Sequence, residues 1–336
     1  VKNLRHISVI MLFSGISQNF LPGYFEPSIP QPIPEVNVSQ GKAGLTIPID
    51  LPPGKLLPSL SLNYNSAGGN GLLGVGWELS GLEYITRDPS MGLNYDNNDT
   101  FVSSMGGRLV PVTGGFYHTK KQSLAKYTPI GSNGNSYSGW VATDRSGTKY
   151  YFGETDNSRV SVAGNNLKTS NIKTWALERV ADTSGNQYSI VYDKDPNNGW
   201  HHVRTISYAN RTIEFTYEVK NDYNMSADYG MNSKYLENNR LKSIEVKVNG
   251  SKFKKYDLEY EIETVGGKSR LSKIQKSGMN DWGTEKFDPI MFQYSKESPT
   301  SVFDFGSNTV SDPKAIFKHY IYTNNYYTLD DSSNYM

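Results

Sequence analysis

The side chains able to act on a substrate are few and scattered. The five histidines are His6, His118, His201, His202 and His319. Zinc needs several imidazoles or thiolates converging on one point. Only His201 and His202 are neighbours, and adjacent strand residues point to opposite faces. The pair reads as a surface or half-buried hairpin position. The chain contains no cysteine, which removes thiol catalysis, disulfides and cysteine-held zinc. It shows no H-E-x-x-H, no G-x-S-x-G elbow and no G-x-x-x-x-G-K-[ST] phosphate loop. Gly69 to Gly74 spells G-x-G-x-x-G, but strand patterns and Trp77 follow it where a dinucleotide site needs a helix. Asp96-Asn97-Asn98-Asp99 offers calcium-type oxygens. It lacks the glycine and distal glutamate of a calcium loop, so it reads as a turn that bonds its own backbone. Asp182-Thr183-Ser184-Gly185 has one residue too many for an aspartic-protease loop. No catalytic, cofactor-binding or metal-ligating residue is assigned, and no cofactor is expected.

The elements that would carry such groups are strands and turns. Of 336 residues, 24 are tyrosine and 31 glycine, with 36% hydrophobic and 20% charged. That composition suits short strands joined by tight turns. A net charge of +1 leaves no general footprint for nucleic acid. The lysines at Lys252, Lys254 and Lys255 read as a solvated strand face. A mean hydropathy of -0.57 excludes a polytopic membrane protein. Lys2 and Arg5, the apolar run Ile7 to Phe13 and the small residues Ser14, Gly15 and Ser17 have the three parts of a secretory signal peptide. Residues 1–17 are therefore expected to direct export; the apolar run is too short to cross a membrane. Pro22, Pro27, Pro30, Pro32 and Pro34 make 18–37 an extended linker.

From Val38 onward the pattern is all-β. Leu45 to Leu51 and Leu60 to Tyr64 are short strands, followed by the glycines from Gly68 to Gly76 and a buried Trp77: a tightly turned meander. Gly114-Gly115 is a hairpin tip. Asp144-Arg145-Ser146-Gly147 and Asp182-Thr183-Ser184-Gly185 are the same D-x-S-G turn, each followed by x-x-Tyr and preceded by a tryptophan, Trp140 or Trp175. Asp bonds its own turn and Gly supplies the left-handed residue. Entering strands carry Leu177/Val180, Val203/Ile206, Leu241/Ile244 and Leu271/Ile274. Returning strands carry Ile190/Tyr192, Phe215/Tyr217, Leu258/Tyr260 and Phe292/Tyr294. One hairpin cannot bury such a face alone, so successive hairpins must line up side by side. Residues 222–237 read as a short helix or ordered loop interrupting the series.

Two blocks carry a family resemblance. The first is Pro58, Leu60, Leu62, Tyr64, Ser66, Gly69, Asn70, Gly71, Gly74, Gly76, Trp77 and Leu79. The second is Tyr95-Asp96-Asn97-Asn98-Asp99-Thr100-Phe101 followed by Gly107-Arg108-Leu109-Val110-Pro111. Together they resemble the SpvB-type N-terminal domain, as found in the B subunits of insecticidal toxin complexes and in RHS-type proteins. The resemblance covers roughly residues 38 to 300.

The resemblance implies antiparallel β-hairpins in a curved RHS-like strip, with the glycine-rich meander at its N-terminal side. With the residue patterns above it divides the chain into the signal-peptide-like 1–17, the linker 18–37, an SpvB-like β domain at 38–300 and, where the strand pattern fades, the start of a following, truncated segment at 301–336. The chain is expected to be a fragment or one piece of a split gene. The implied function is a non-catalytic scaffold of an exported virulence protein, part of a β-shell that encloses or delivers a toxic C-terminal part. The implied partner is that C-terminal toxin or an RHS-type C subunit, in cis or on another chain. No nucleic acid and no integral membrane segment is expected. The location is extracellular, with delivery to a host cytoplasm as part of a larger toxin. The residues expected to matter are structural: Gly69, Gly71, Gly74, Gly76 and Trp77 in the meander, and Asp144, Gly147, Asp182 and Gly185 in the turns. The alternative is a cell-surface module whose tyrosines and loops bind glycan or protein. A third reading is an ADP-ribosyltransferase, an activity that SpvB-like proteins carry near the C-terminal end on an E-x-E pair. Here Glu259-Tyr260-Glu261 matches the pair, but no S-T-S precedes it, and Leu258, Tyr260 and Ile262 alternate as a plain strand.

Overall fold

In a computed structural model the chain is described at residues 9–11, 35–37, 42–121, 124–131, 136–161, 172–195, 200–228, 233–263, 267–280, 283–294, 319–320 and 327–329. The segments expected at 1–17, 18–37 and 301–336 lie almost wholly outside these residues. Strand β1 (Val9–Met11) pairs with residues 327–329, and β2 (Glu35–Asn37) forms a 4-stranded sheet with β3 (Lys42–Pro48), β4 (Ser61–Asn65) and β7 (Trp77–Ser80). Between β4 and β7 the glycines form a small hairpin of β5 (Asn70–Gly71) and β6 (Gly74–Val75). Alternation decides which face of this sheet is dry. Leu45, Ile47, Leu62, Tyr64 and Trp77 are buried, while Thr46 and Glu78 face solvent.

A second body is a closed barrel. Its strands are β8 (Tyr84–Arg87), β9 (Phe101–Ser103), β10 (Gly107–Val112), β11 (Phe116–Thr119), β12 (Lys126–Ile130), β13 (Gly139–Thr143) and β14 (Lys149–Phe152). After β15 (Arg159–Ser161), the long strand β16 (Ile172–Ala181) closes the circuit. Its first half pairs with β8, Trp175 opposite Ile85, and its second half with β14, Val180 opposite Tyr150. Closure removes the free edges that an open sheet exposes. The interior is aromatic: Phe101 lies 4.9 Å from Trp140 and 5.7 Å from Trp175, ring centre to ring centre.

The same β16 starts a long antiparallel strip. It runs through β17 (Gln187–Lys194), β18 (His201–Tyr208), β19 (Arg211–Asp228), β20 (Ser233–Val248), β21 (Ser251–Ile262) and β22 (Ser269–Asn280). Strands β23 (Gly283–Lys286) and β24 (Ile290–Met291) pair with β22, and β25 (Gln293–Tyr294) follows. Cross-strand partners share a face, so Ile190 meets Ile206, Ile206 meets Ile213, Phe215 meets Ile244 and Leu258 meets Ile274. These apolar rows are buried, and the intervening rows are polar, as with Glu214 and Lys247 at 2.6 Å. The curved strip of hairpins is therefore present. Residues 222–237 depart from the helix-or-loop expectation: β19 and β20 pair as far as Asp228 opposite Ser233. The ladder absorbs the extra residues as an irregularity between Val219 and Asn224, which lets both strands continue.

Candidate functional site

The small sheet lies over the apolar face of the strip, and the contacts that hold it there form the first candidate site. Trp77 buries its ring 4.7 Å from Phe292, and its indole Nε1 donates to the Tyr294 hydroxyl at 2.8 Å. That hydroxyl donates in turn to the Leu271 carbonyl at 2.6 Å. The glycine hairpin reaches further. Leu241 N–H donates to the Leu72 carbonyl at 2.9 Å, and Lys220 Nζ donates to the Gly71 carbonyl at 2.9 Å. The Asp222 carboxylate accepts from Asn70 Nδ2 at 3.0 Å, from Ser269 N–H at 2.6 Å and from Ser269 Oγ at 2.7 Å. Burial alone would raise that carboxyl, but the Ser269 bonds, the Lys220 charge and the Asn70 bond together outweigh it and hold Asp222 below the ordinary carboxylate range.

A second strap lies between β3 and β4. Asp50 N–H donates to the Tyr256 hydroxyl at 2.8 Å, and its carboxylate takes Lys254 at 2.8 Å together with Lys276. Burial pushes the Asp50 carboxyl up; the two ammonium groups more than reverse this and leave it lowered.

Inside the barrel, Arg87 is the largest buried charge. Its guanidinium donates to Asp99 at 2.7 Å, Ser136 Oγ at 2.6 Å and the Ile172 carbonyl at 2.7 Å. Its carbon also stands 5.3 Å from the centres of the Phe101 and Trp175 rings. Asp99 further accepts the N–H groups of Asn94 and Tyr95, both at 2.9 Å. Asp99 is thus turned inward onto an arginine with its oxygens occupied, while the Asp96 carboxylate accepts the Asn98 N–H of its own turn at 2.8 Å. Arg87 was legible in principle. It occupies the inward register after Ile85, where an apolar residue is expected.

The histidines correct one expectation. His202 is buried, not superficial: its ring is stacked between Trp200 at 4.5 Å and Tyr217 at 4.7 Å, and Nε2 meets Glu237 at 2.8 Å. His201 stacks on Tyr192 at 4.3 Å and donates Nε2–H to the Asn157 carbonyl at 2.8 Å. Burial pushes the His201 imidazole down to about 4. Both imidazoles border a cleft of about 320 Å³ between the small sheet, the barrel and the strip. Among the described residues no cluster of three or more His, Asp or Glu is placed to hold a metal, and no helix is long and apolar enough to cross a membrane.

Glu259 and Glu261 lie on the exposed face of β21, and Glu259 pairs with Lys273 at 2.8 Å. Asp144 caps its turn by accepting Ser146 N–H at 2.8 Å and Thr148 N–H at 3.0 Å, with Gly147 at φ 85°. Asp182 does the same for Ser184 and Asn186, both at 2.9 Å, with Gly185 at φ 82°. The meander glycines divide by role. A Cβ on Gly74 or Gly76 would overlap the Ser269 backbone or the Tyr64 ring, whereas Gly69 has open space. Gly71 contributes its carbonyl to Lys220.

Residues 37–129 and 117–255 match the family described as Salmonella virulence plasmid 65kDa B protein. The Mono(ADP-ribosyl)transferase SpvB of Salmonella choleraesuis (strain SC-B67) is 27% identical over 214 residues, which are 54% of this chain and 35% of that protein. Its counterpart in Salmonella enteritidis is 26% identical over the same shares. The chain thus spans about a third of the length of these relatives. Among solved structures, the N-terminal domain of effector protein SpvB from Salmonella typhimurium strain LT2 has a TM-score of 0.61 at 16% identity, covering 70% of this chain and 98% of that one. The crystal structure of TcdB2-TccC3-TEV has a TM-score of 0.71 at 18% identity, covering 83% of this chain and 17% of that one. The Photorhabdus luminescens Tc holotoxin pore has a TM-score of 0.66 at 18% identity, over 83% of this chain and 17% of that one. The chain belongs to the SpvB family.

Proposed function

We propose that this chain is a non-catalytic shell segment of an exported toxin-like protein, and that it helps enclose or deliver a toxic C-terminal part. The carrying observation is the double use of β16. One strand closes the barrel and launches the strip, so the wall starts from a rigid anchor. The small sheet, clamped through Trp77 and Asp222, covers the strip's apolar face and leaves its polar rows free to face an enclosed space. The fold shared with the SpvB N-terminal domain and with TcdB2-TccC3 supports the same reading. Catalysis by Glu259 and Glu261 is disfavoured by their place on an open strand face, where Glu259 is engaged by Lys273. Such a site lacks the convergent, water-excluding groups that catalysis needs.

The test is protease protection of the full-length gene product. A C-terminal segment that resists trypsin when joined to this region, and is digested when expressed without it, supports enclosure. Equal digestion in both contexts contradicts it. NAD-glycohydrolase activity of this chain that disappears in Glu261→Ala would overturn the non-catalytic part.

A further inference from the structure

We propose that the cleft between the small sheet, the barrel and the strip binds a partner polypeptide, taking one large apolar side chain that has a lysine or arginine beside it. The floor supplies the apolar half of that fit. Leu72, Leu79 and Leu82 line it and are only half-buried, next to the fully packed Trp77. A volume of about 320 Å³ is at the small end of ligand sites and suits one side chain rather than a cofactor.

The charge half comes from Glu78 and Glu83, both in the lining, which contains no lysine or arginine. Glu78 is exposed, and Glu83 accepts the Ser104 hydroxyl at 2.5 Å. The opposite wall does not cancel this charge. His202 is already held by Glu237, and His201 is neutral near neutral pH because burial lowers its imidazole to about 4. Complementarity therefore selects a cation at the rim.

A polypeptide, rather than a free amine, fits the border of the cleft. Val160 belongs to β15, which among the described residues is laddered on one side only, to β16. An extended segment can pair with such an edge while its side chain enters the adjoining pocket. This site stands independently of the shell reading and holds whether or not a passenger is enclosed.

The test is titration calorimetry of the full chain with three acetylated tripeptide amides: Lys-Phe-Lys, Glu-Phe-Glu and Lys-Ala-Lys. Saturable binding of Lys-Phe-Lys is expected, with Glu-Phe-Glu about tenfold weaker or worse, a gap of about 1.4 kcal/mol. Lys-Ala-Lys should give no saturation. Glu78→Gln, at an exposed position, should keep its melting temperature and narrow the charge preference; Leu82→Arg should abolish binding. The proposal is overturned by equal affinity for the two phenylalanine peptides, by binding that survives Leu82→Arg, or by no Lys-Phe-Lys binding at millimolar concentration. Phenethylamine binding as tightly as the tripeptide would overturn the polypeptide assignment.

Discussion

Gly74 is pressed against Ser269 so closely that a Cβ at Gly74 would overlap the serine's carbonyl oxygen. The glycine hairpin is therefore a contact surface as well as a turn: its backbone packs directly on the backbone of β22. Gly74 also sits at φ 81°, where an L side chain costs about 1–2 kcal/mol. Gly185 has nearly the same φ, 82°, and open space around it. Gly74→Ala should therefore lower the melting temperature well beyond Gly185→Ala. Equal losses in thermal denaturation would mean that the hairpin does not dock on the strip.

The buried Arg87–Asp99 pair makes a second prediction. Removing one member of such a pair leaves an uncompensated charge, which typically costs about 3–5 kcal/mol. Asp99→Ala should fall in that range by urea denaturation, whereas the double variant Arg87→Met/Asp99→Leu should recover much of the loss. Calcium should not move the melting temperature, because Asp99 already serves Arg87, Asn94 and Tyr95.

Trp77 is 2% exposed at the centre of the clamp. Trp77→Ala should cost about 3–5 kcal/mol by leaving a cavity. Trp77→Phe keeps most of the packing and loses the bond to Tyr294, so its cost should be about 1–3 kcal/mol. Unchanged unfolding midpoints would contradict the burial of this ring.

His201 gives a pH dependence of defined sign. Its folded-state value of about 4 lies below the ordinary 6.5, so the unfolded chain takes up the proton first. The stability it contributes is fully present above pH 6.5 and is lost as pH falls from 6.5 towards 4. Melting temperatures across that window should decline less steeply for His201→Gln than for the parent chain. Parallel profiles would show that the imidazole is not held neutral.

The alternation of large residues made the strip legible, because period-two burial shows directly in pairs such as Leu258 and Tyr260. The D-x-S-G turns were legible for the same local reason: Asp144 and Asp182 bond within a few residues of themselves. Long-range polar contacts left no such trace. Asn70 meets Asp222, and Asp50 meets Lys254 and Lys276, only after the small sheet has docked on the strip. The burial of His202 depends likewise on Tyr217 and Glu237 from other strands. The stretch 222–237 misled because its polar residues break the alternation of large apolar side chains that marks the other strands. Backbone pairing needs no apolar side chains, and it carried the hairpin on.

Electron cryomicroscopy of the full-length gene product tests the enclosing wall most directly. The account predicts that the strip beginning at β16 continues past β22 into a curved wall surrounding density for a C-terminal segment. A strip that stops at β24, beside a separate C-terminal domain fully open to solvent, would contradict it.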